Sequence, residues 1–349
     1  MNANLSNFNI FHYPRIYTVD DLAVSAIEQI CLMVGCIISM VLALVGNTLV
    51  IGVLMFSTRL WTDLNIFLIN LSLADLTMAI FCMPFTFPTI MKGHWLFGKV
   101  MCPVVLSLQQ VSICVSIYTL TAIGIDRYYA VLYPLKLRTT KNRAKYVVSL
   151  IWLVSMLLSM IPLITARSQS YDLNDFVEVP GDIVYFCFER VDHYSGMVYE
   201  ISILILTYVV PLCVISFTYF RVGRRLWGRS LPGVADRARD LSQMKSKKKT
   251  IKMLVLIVVL FAGCWFPLHM FNIVNRIVPD LYYEVATQDI LRITQSCCLF
   301  LAMSNSFMNP FIYGFLNGSF RKDLKNFVMC RLRVVVDHLQ AVTRQKRYG

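Results

Sequence analysis

Charge is scarce in this chain: Asp, Glu, Lys and Arg make up 15% of its 349 residues, where a soluble domain carries about a quarter. That shortage excludes an ordinary water-soluble domain. Ionisable groups inside apolar stretches are rarer still. Asp75 and His269 are too sparse for a membrane enzyme, which needs clustered His, Glu and Asp or paired Ser and His. No internal repeat with a period of roughly 20–50 residues is present. There is also no inverted pair of interrupted apolar stretches of the transporter kind. A basic leader followed by a short apolar core is missing ahead of the first long apolar run. That run is therefore expected to act as its own insertion signal.

Apolar residues make up 57% of the chain. A bilayer-crossing helix needs about 20 mostly apolar residues. Stretches of that size run Gln29–Thr58, Leu64–Met91 (interrupted only by Asp75), Val100–Ile125, Tyr146–Ala166, Ile201–Phe220, Met253–Asn275 and Ile293–Phe320. Seven crossings place the two termini on opposite sides. The expected fold is an all-α membrane protein, a seven-transmembrane helix bundle with a short amphipathic eighth helix. The expected divisions are an outer N-terminus (1–28), the membrane domain (29–316), the amphipathic helix (317–330) and a short basic inner tail (331–349).

Basic residues set the orientation. With the N-terminus outside, 26 of the 33 Lys and Arg fall on the inner side. The net charge of +13 is thus an orientation signal, and nucleic acid is not needed to explain it. Thirteen of the 20 acids fall outside, giving the outer face a net charge of −6. Such a face either attracts cationic ligands or is simply a solvated surface. Proline interrupts several stretches, at Pro84, Pro88, Pro162, Pro211, Pro267 and Pro310. Each removes a backbone donor and is a potential kink.

Of 11 cysteines, only Cys102 and Cys187 face an oxidising compartment in this topology. Their disulfide would pin the long loop after span four across the mouth of the bundle. Asn4-Leu5-Ser6 is an outer glycosylation sequon. Asp75 is the one acid in mid-span, where a carboxylate costs about 2.5–3.5 kcal/mol and must face the bundle interior. Ser116, Asn305 and Asn309 are its candidate partners. Together they either hold a small hard cation such as Na⁺ or form a plain hydrogen-bond network. Asp126-Arg127-Tyr128 closes span three at the inner edge, where Arg127 either pairs locally and is released to an incoming protein, or only snorkels.

Taken in order, these residues resemble the signature of rhodopsin-like G-protein-coupled receptors. They comprise Gly46-Asn47, Leu71-Ser72-Leu73-Ala74-Asp75, Cys102, Asp126-Arg127-Tyr128, Trp152, Pro211 with Tyr219, Cys264-Trp265-Phe266-Pro267 and Asn309-Pro310-Phe311-Ile312-Tyr313. The resemblance runs from about residue 30 to 330. Finer features are similar to the neuropeptide-receptor branch, which includes neuropeptide Y, tachykinin and related orphan receptors. They are Trp95-Leu96-Phe97-Gly98, Gln109, the run from Lys247 to Leu254, His269 after Pro267-Leu268, and Gly314-Phe315-Leu316-Asn317. Departures from other branches matter as well. Gln109 stands where amine receptors carry an aspartate, and Met303 where opsins carry a retinal-linking lysine. Lys247 replaces the inner-end acid of span six that restrains the span-three arginine in rhodopsin.

The resemblance implies an extracellular peptide ligand, basic or amidated, and no enzymatic activity. The same fold answering a lipid or other small non-amine ligand, or signalling constitutively, is the alternative. Pocket candidates by position are Gln109, Gln110, Ile113, Glu200, His269, Asn272, Arg276 and Leu299. Trp265 above the Pro267 kink would pass the change inward, with Asn309, Pro310, Tyr313 and Tyr219 rearranging. Arg127 would then meet a heterotrimeric G protein, helped by Pro134 and Leu135. Phe320, Leu324, Phe327 and Val328 recur at helical spacing among basic residues, the pattern of an interfacial helix. Cys330 at its end is either palmitoylated or a free thiol. Arrestin, receptor kinase and membrane lipids complete the implied partners, although Thr343 is the sole Ser or Thr in the tail. No cofactor is expected beyond the Na⁺, and the implied location is the plasma membrane.

Overall fold

The computed structural model describes residues 26–56, 62–133, 143–172, 183–227, 237–278, 285–318, 320–330 and 333. Among them follow in order α1 (Ala26–Phe56), α2 (Asp63–Phe81), α3 (Met83–Lys92), α4 (Gly98–Leu132), α5 (Arg143–Thr165), α6 (His193–Leu204), α7 (Val210–Trp227), α8 (Arg237–Ile277) and α9 (Val285–Leu316). Six stretches of these helices are long and apolar enough to cross a membrane. α9 has the length of a seventh, but Ser304, Asn305, Ser306 and Asn309 dilute its apolar content. All four are turned inward, at 2–5% exposure.

The burial pattern is inverted relative to a water-soluble protein. Large apolar side chains face outward, such as Tyr146, Leu157, Phe220 and Phe315, while Asn47, Asp75, Thr119 and Asn309 are buried. A hydrocarbon solvent selects this arrangement, because backbone and side-chain polar groups find partners only inside the bundle. Such partners tie the helices together. Asn70 on α2 donates to Thr119 Oγ1 on α4 at 2.7 Å and accepts from Trp152 Nε1 on α5 at 2.8 Å. Asn47 on α1 donates to the Ser306 carbonyl of α9 at 2.9 Å. Beside it, a Cβ on Gly46 would lie 2.9 Å from Pro310 Cγ, so a glycine permits the close approach of α1 and α9.

The prolines act in different ways. Pro84 starts a new helix: α2 ends at Phe81, and α3 begins after Cys82 with proline in its first turn. Pro88, Pro162, Pro267 and Pro310 lie inside helices, as does Pro103, which was not among the expected kinks. Ahead of Pro211 the chain widens into a π-helical turn over residues 205–209 that joins α6 to α7. Wider turns of this kind accommodate a missing donor.

The all-α bundle carries one small sheet outside its helices. Between α5 and α6, β1 (Ala166–Asp172) and β2 (Ile183–Glu189) form an antiparallel hairpin that pairs Ala166 with Glu189 and Ser168 with Cys187. Disulfide-bonded Cys187 and Cys102 hold it on the outer end of α4. The Trp95 backbone donates to the Tyr185 carbonyl at 2.6 Å, adding a second attachment. Asp192 then caps α6 by accepting from the Ser195 N–H at 2.9 Å, which holds its carboxyl below the ordinary value of 3.8.

At the other end, α9 stops at Leu316. The side chain of Asn317 accepts from the Phe320 N–H at 3.1 Å, and a helix follows over residues 320–330. Phe320 is buried against Tyr313, and Phe327 meets Phe56 of α1, while Val328 stays exposed.

Candidate functional site

The polar and aromatic residues form a track from the end of the bundle that carries the hairpin, the expected outer mouth, to the opposite end, the expected inner rim. At the mouth, Glu189 of β2 and Glu200 of α6 lie within electrostatic reach of Arg276, near the end of α8. Gly196 makes room for that arginine, since a Cβ there would lie 2.8 Å from Arg276 Nη1. Burial, and then the charge of Glu200, push the Glu189 carboxyl up to about 7, with Arg276 pulling the other way. Sequence reasoning named Glu200 and Arg276 but missed Glu189, which had looked like one more acid in a solvated loop. Its place two residues after the disulfide-held Cys187 was the available signal.

One level inward, Gln110 donates to Cys114 Sγ at 3.3 Å along α4. Gln109, Asn272 and Leu299 are half-buried on α4, α8 and α9. The His269 ring lies 5.2 Å from that of Tyr208 and 6.4 Å from that of Trp265, centroid to centroid. Tyr208 in turn donates to the Ala262 carbonyl at 2.9 Å, joining spans five and six on the inner side of Pro267.

Trp265 and Ile113 form part of the wall of a small cavity, together with Asp75, Ser112, Ser116, Phe261, Asn305 and Ser306 among others. It has room for about one water-sized species. Asp75 accepts from Asn309 Nδ2 at 2.8 Å and is also hydrogen-bonded by Ser306. The three residues expected around Asp75, Ser116, Asn305 and Asn309, are thus brought together. Ser112 and Ser306 are additions; the place of Ser306 next to Asn305 was the available signal for the second. The oxygen donors suit a small hard cation.

Further in, Tyr219 and Tyr313 are buried, and their hydroxyls find no partner among the described residues. Arg127 Nε donates to Asp126 Oδ2 at 3.0 Å, and a second, shorter bond runs from Nη2 to the same oxygen. Tyr128 packs with Val222 and Leu226 of α7 and Ile251 of α8, closing the inner ends of three spans with an apolar cluster. Pro134, Leu135 and Asn4 lie outside the described residues. Cys330 is exposed at the end of the last helix.

Helices with apolar exteriors around this continuous polar track define a multi-pass membrane protein. A family model described as 7 transmembrane receptor (rhodopsin family) matches residues 46–313. The chain belongs to this family, one of receptors and not of enzymes. The QRFP-like peptide receptor of Branchiostoma floridae is 31% identical over 328 residues, covering 93% of this chain and 84% of the relative. The RYamide receptor of Tribolium castaneum is 32% identical, covering 83% of this chain and 78% of its own length. The RYamide receptor of Drosophila melanogaster is 33% identical, with 97% and 73% covered. These names fall in the peptide-receptor branch that the finer motifs resemble.

Proposed function

We propose that this chain is a plasma-membrane receptor, N-terminus outward, for a basic or amidated extracellular peptide, and that it activates a heterotrimeric G protein. The observation that carries the reading is the set of relatives. Each spans at least 83% of this chain, one is named for a QRFP-like peptide and two for RYamide. The mouth supports it: two carboxylates, Glu189 and Glu200, lie within electrostatic reach of Arg276 and favour a cationic ligand.

The peptide's end enters between Gln109, Gln110, Ile113, Glu200, His269, Asn272, Arg276 and Leu299. It acts only by binding the active conformer better than the resting one. Contact at His269 reaches Trp265 directly. The inner half of α8 then swings outward about Pro267, Asn309, Pro310, Tyr313 and Tyr219 rearrange, and the apolar cluster at Tyr128 parts. Arg127 meets a G-protein helix in the opened groove, with Pro134 and Leu135 completing the dock. Asp75, Ser116, Asn305 and Asn309, joined by Ser112 and Ser306, would hold Na⁺ in the cavity beneath Trp265. Asn4 carries glycan and Cys330 palmitate, membrane lipids surround the bundle, and receptor kinase and arrestin act on the inner face.

The test is a panel of amidated, arginine-containing peptides, RYamide among them, applied beside lipid fractions to cells expressing the receptor. Calcium and cyclic AMP are read together. A response to a basic amidated peptide is expected. A response to lipid alone refutes the peptide reading.

A further inference from the structure

Arg127 sits at the inner rim with 24% of its side chain exposed, bonded to its own neighbour Asp126. A bond between adjacent residues of one helix anchors the guanidinium to no other helix. The acid that span six supplies in rhodopsin is Lys247 here. A second carboxylate nevertheless stands across from Arg127, on α2.

The contact of Asn70 with Thr119, at 2.7 Å, fixes the register of the antiparallel helices α2 and α4. Moving inward, Asp63 lies seven residues before Asn70 and Asp126 seven after Thr119. Seven residues are two helical turns, about 10 Å of rise, so each acid keeps the face of the residue that sets the register. Asp63 and Asp126 therefore meet at one depth. Asp63 lies within electrostatic reach of Asp126, Arg127 and Arg143. Arg143, the first residue of α5, is exposed and rests over the Tyr129 ring at 5.6 Å. Two facing carboxylates repel unless cations lie between them.

We propose that Asp63 is a positioning residue for Arg127. With Asp126 it forms a two-carboxylate seat that holds the guanidinium against the inner ends of α2 and α4 in the resting receptor. Arg143 weakens the seat by drawing on Asp63. The proposal rests on the reading of Arg127 as the G-protein contact.

Ligand-independent G-protein activation, measured in cells at matched surface expression, tests it. Asp63→Asn removes one of the two charges and raises the basal signal about fivefold, while Asp63→Glu keeps it near wild type. Arg143→Ala has the opposite sign and lowers the raised basal signal of an Asp126→Asn receptor about twofold. Because Arg143 is exposed, this comparison stands even where Asp63→Asn fails to reach the surface. An unchanged basal signal in Asp63→Asn, or a rise in the Arg143→Ala comparison, overturns the seat. Arg127→Ala separates the two ideas. If it signals like wild type, the coupling reading falls; if it is silent while Asp63→Asn stays flat, only the seat falls.

Discussion

Replacing Glu189 by Gln should change the receptor's stability in a way that depends on pH. Glu189 ends β2 half-buried, with Glu200 and Tyr199 of α6 and Arg276 of α8 around it, and its carboxyl is raised from 4.5 to about 7. A carboxyl whose folded value exceeds its unfolded value takes up a proton on folding. Glu189 therefore opposes the fold increasingly as pH rises from 4.5 through 7, and fully above that window. The displacement has a ceiling of about 3 kcal/mol, and partial exposure to solvent reduces this to about 1–2 kcal/mol. Gln stays neutral and removes the penalty. At pH 8 the variant should melt roughly 2–6 °C higher than wild type, and at pH 5 the two should coincide. A thermal melt of the detergent-purified receptor, followed by tryptophan fluorescence, reads this directly. An equal shift at both pH values, or a lower melting temperature at pH 8, would refute the reasoning.

Gly46→Leu places side-chain atoms where Pro310 already lies, at 2.9 Å from the first added carbon. It should cost about 1–3 kcal/mol and reduce surface expression. Asn70→Ala strands the Trp152 N–H and the Thr119 hydroxyl; a loss of about 1–3 kcal/mol should show as a lower melting temperature. Cys102→Ser opens the link to Cys187, with an expected cost of about 2–5 kcal/mol and loss of peptide response at the cell surface.

Those parts of the bundle that rest on a single chemical necessity were legible in the sequence. Asp75 was the one mid-span acid, and only other polar span residues were available to it; the bond to Asn309 follows. Cys102 and Cys187 were the two thiols left on the oxidising side, and they pair. Helix ends were less legible, because counting uncharged residues stops at the first charge and helices do not. Span five was placed from Ile201, yet α6 starts at His193 under its Asp192 cap, and α8 extends inward through basic residues to Arg237. The hairpin was missed because Arg167-Ser168-Gln169-Ser170 has no apolar alternation; its pairing is set by the tether at Cys187. Asp63 matters through neighbours on other helices, and such proximity leaves no local pattern.

The account claims above all that an event at the outer mouth moves the inner half of α8. Distances between spin labels at Tyr146→Cys on α5 and Lys249→Cys on α8, both exposed positions, measure this directly in a background without the exposed native cysteines. The activating peptide should lengthen that distance, and the lengthening should vanish in Trp265→Ala. A distance unchanged by a peptide that still activates the G protein would contradict the account.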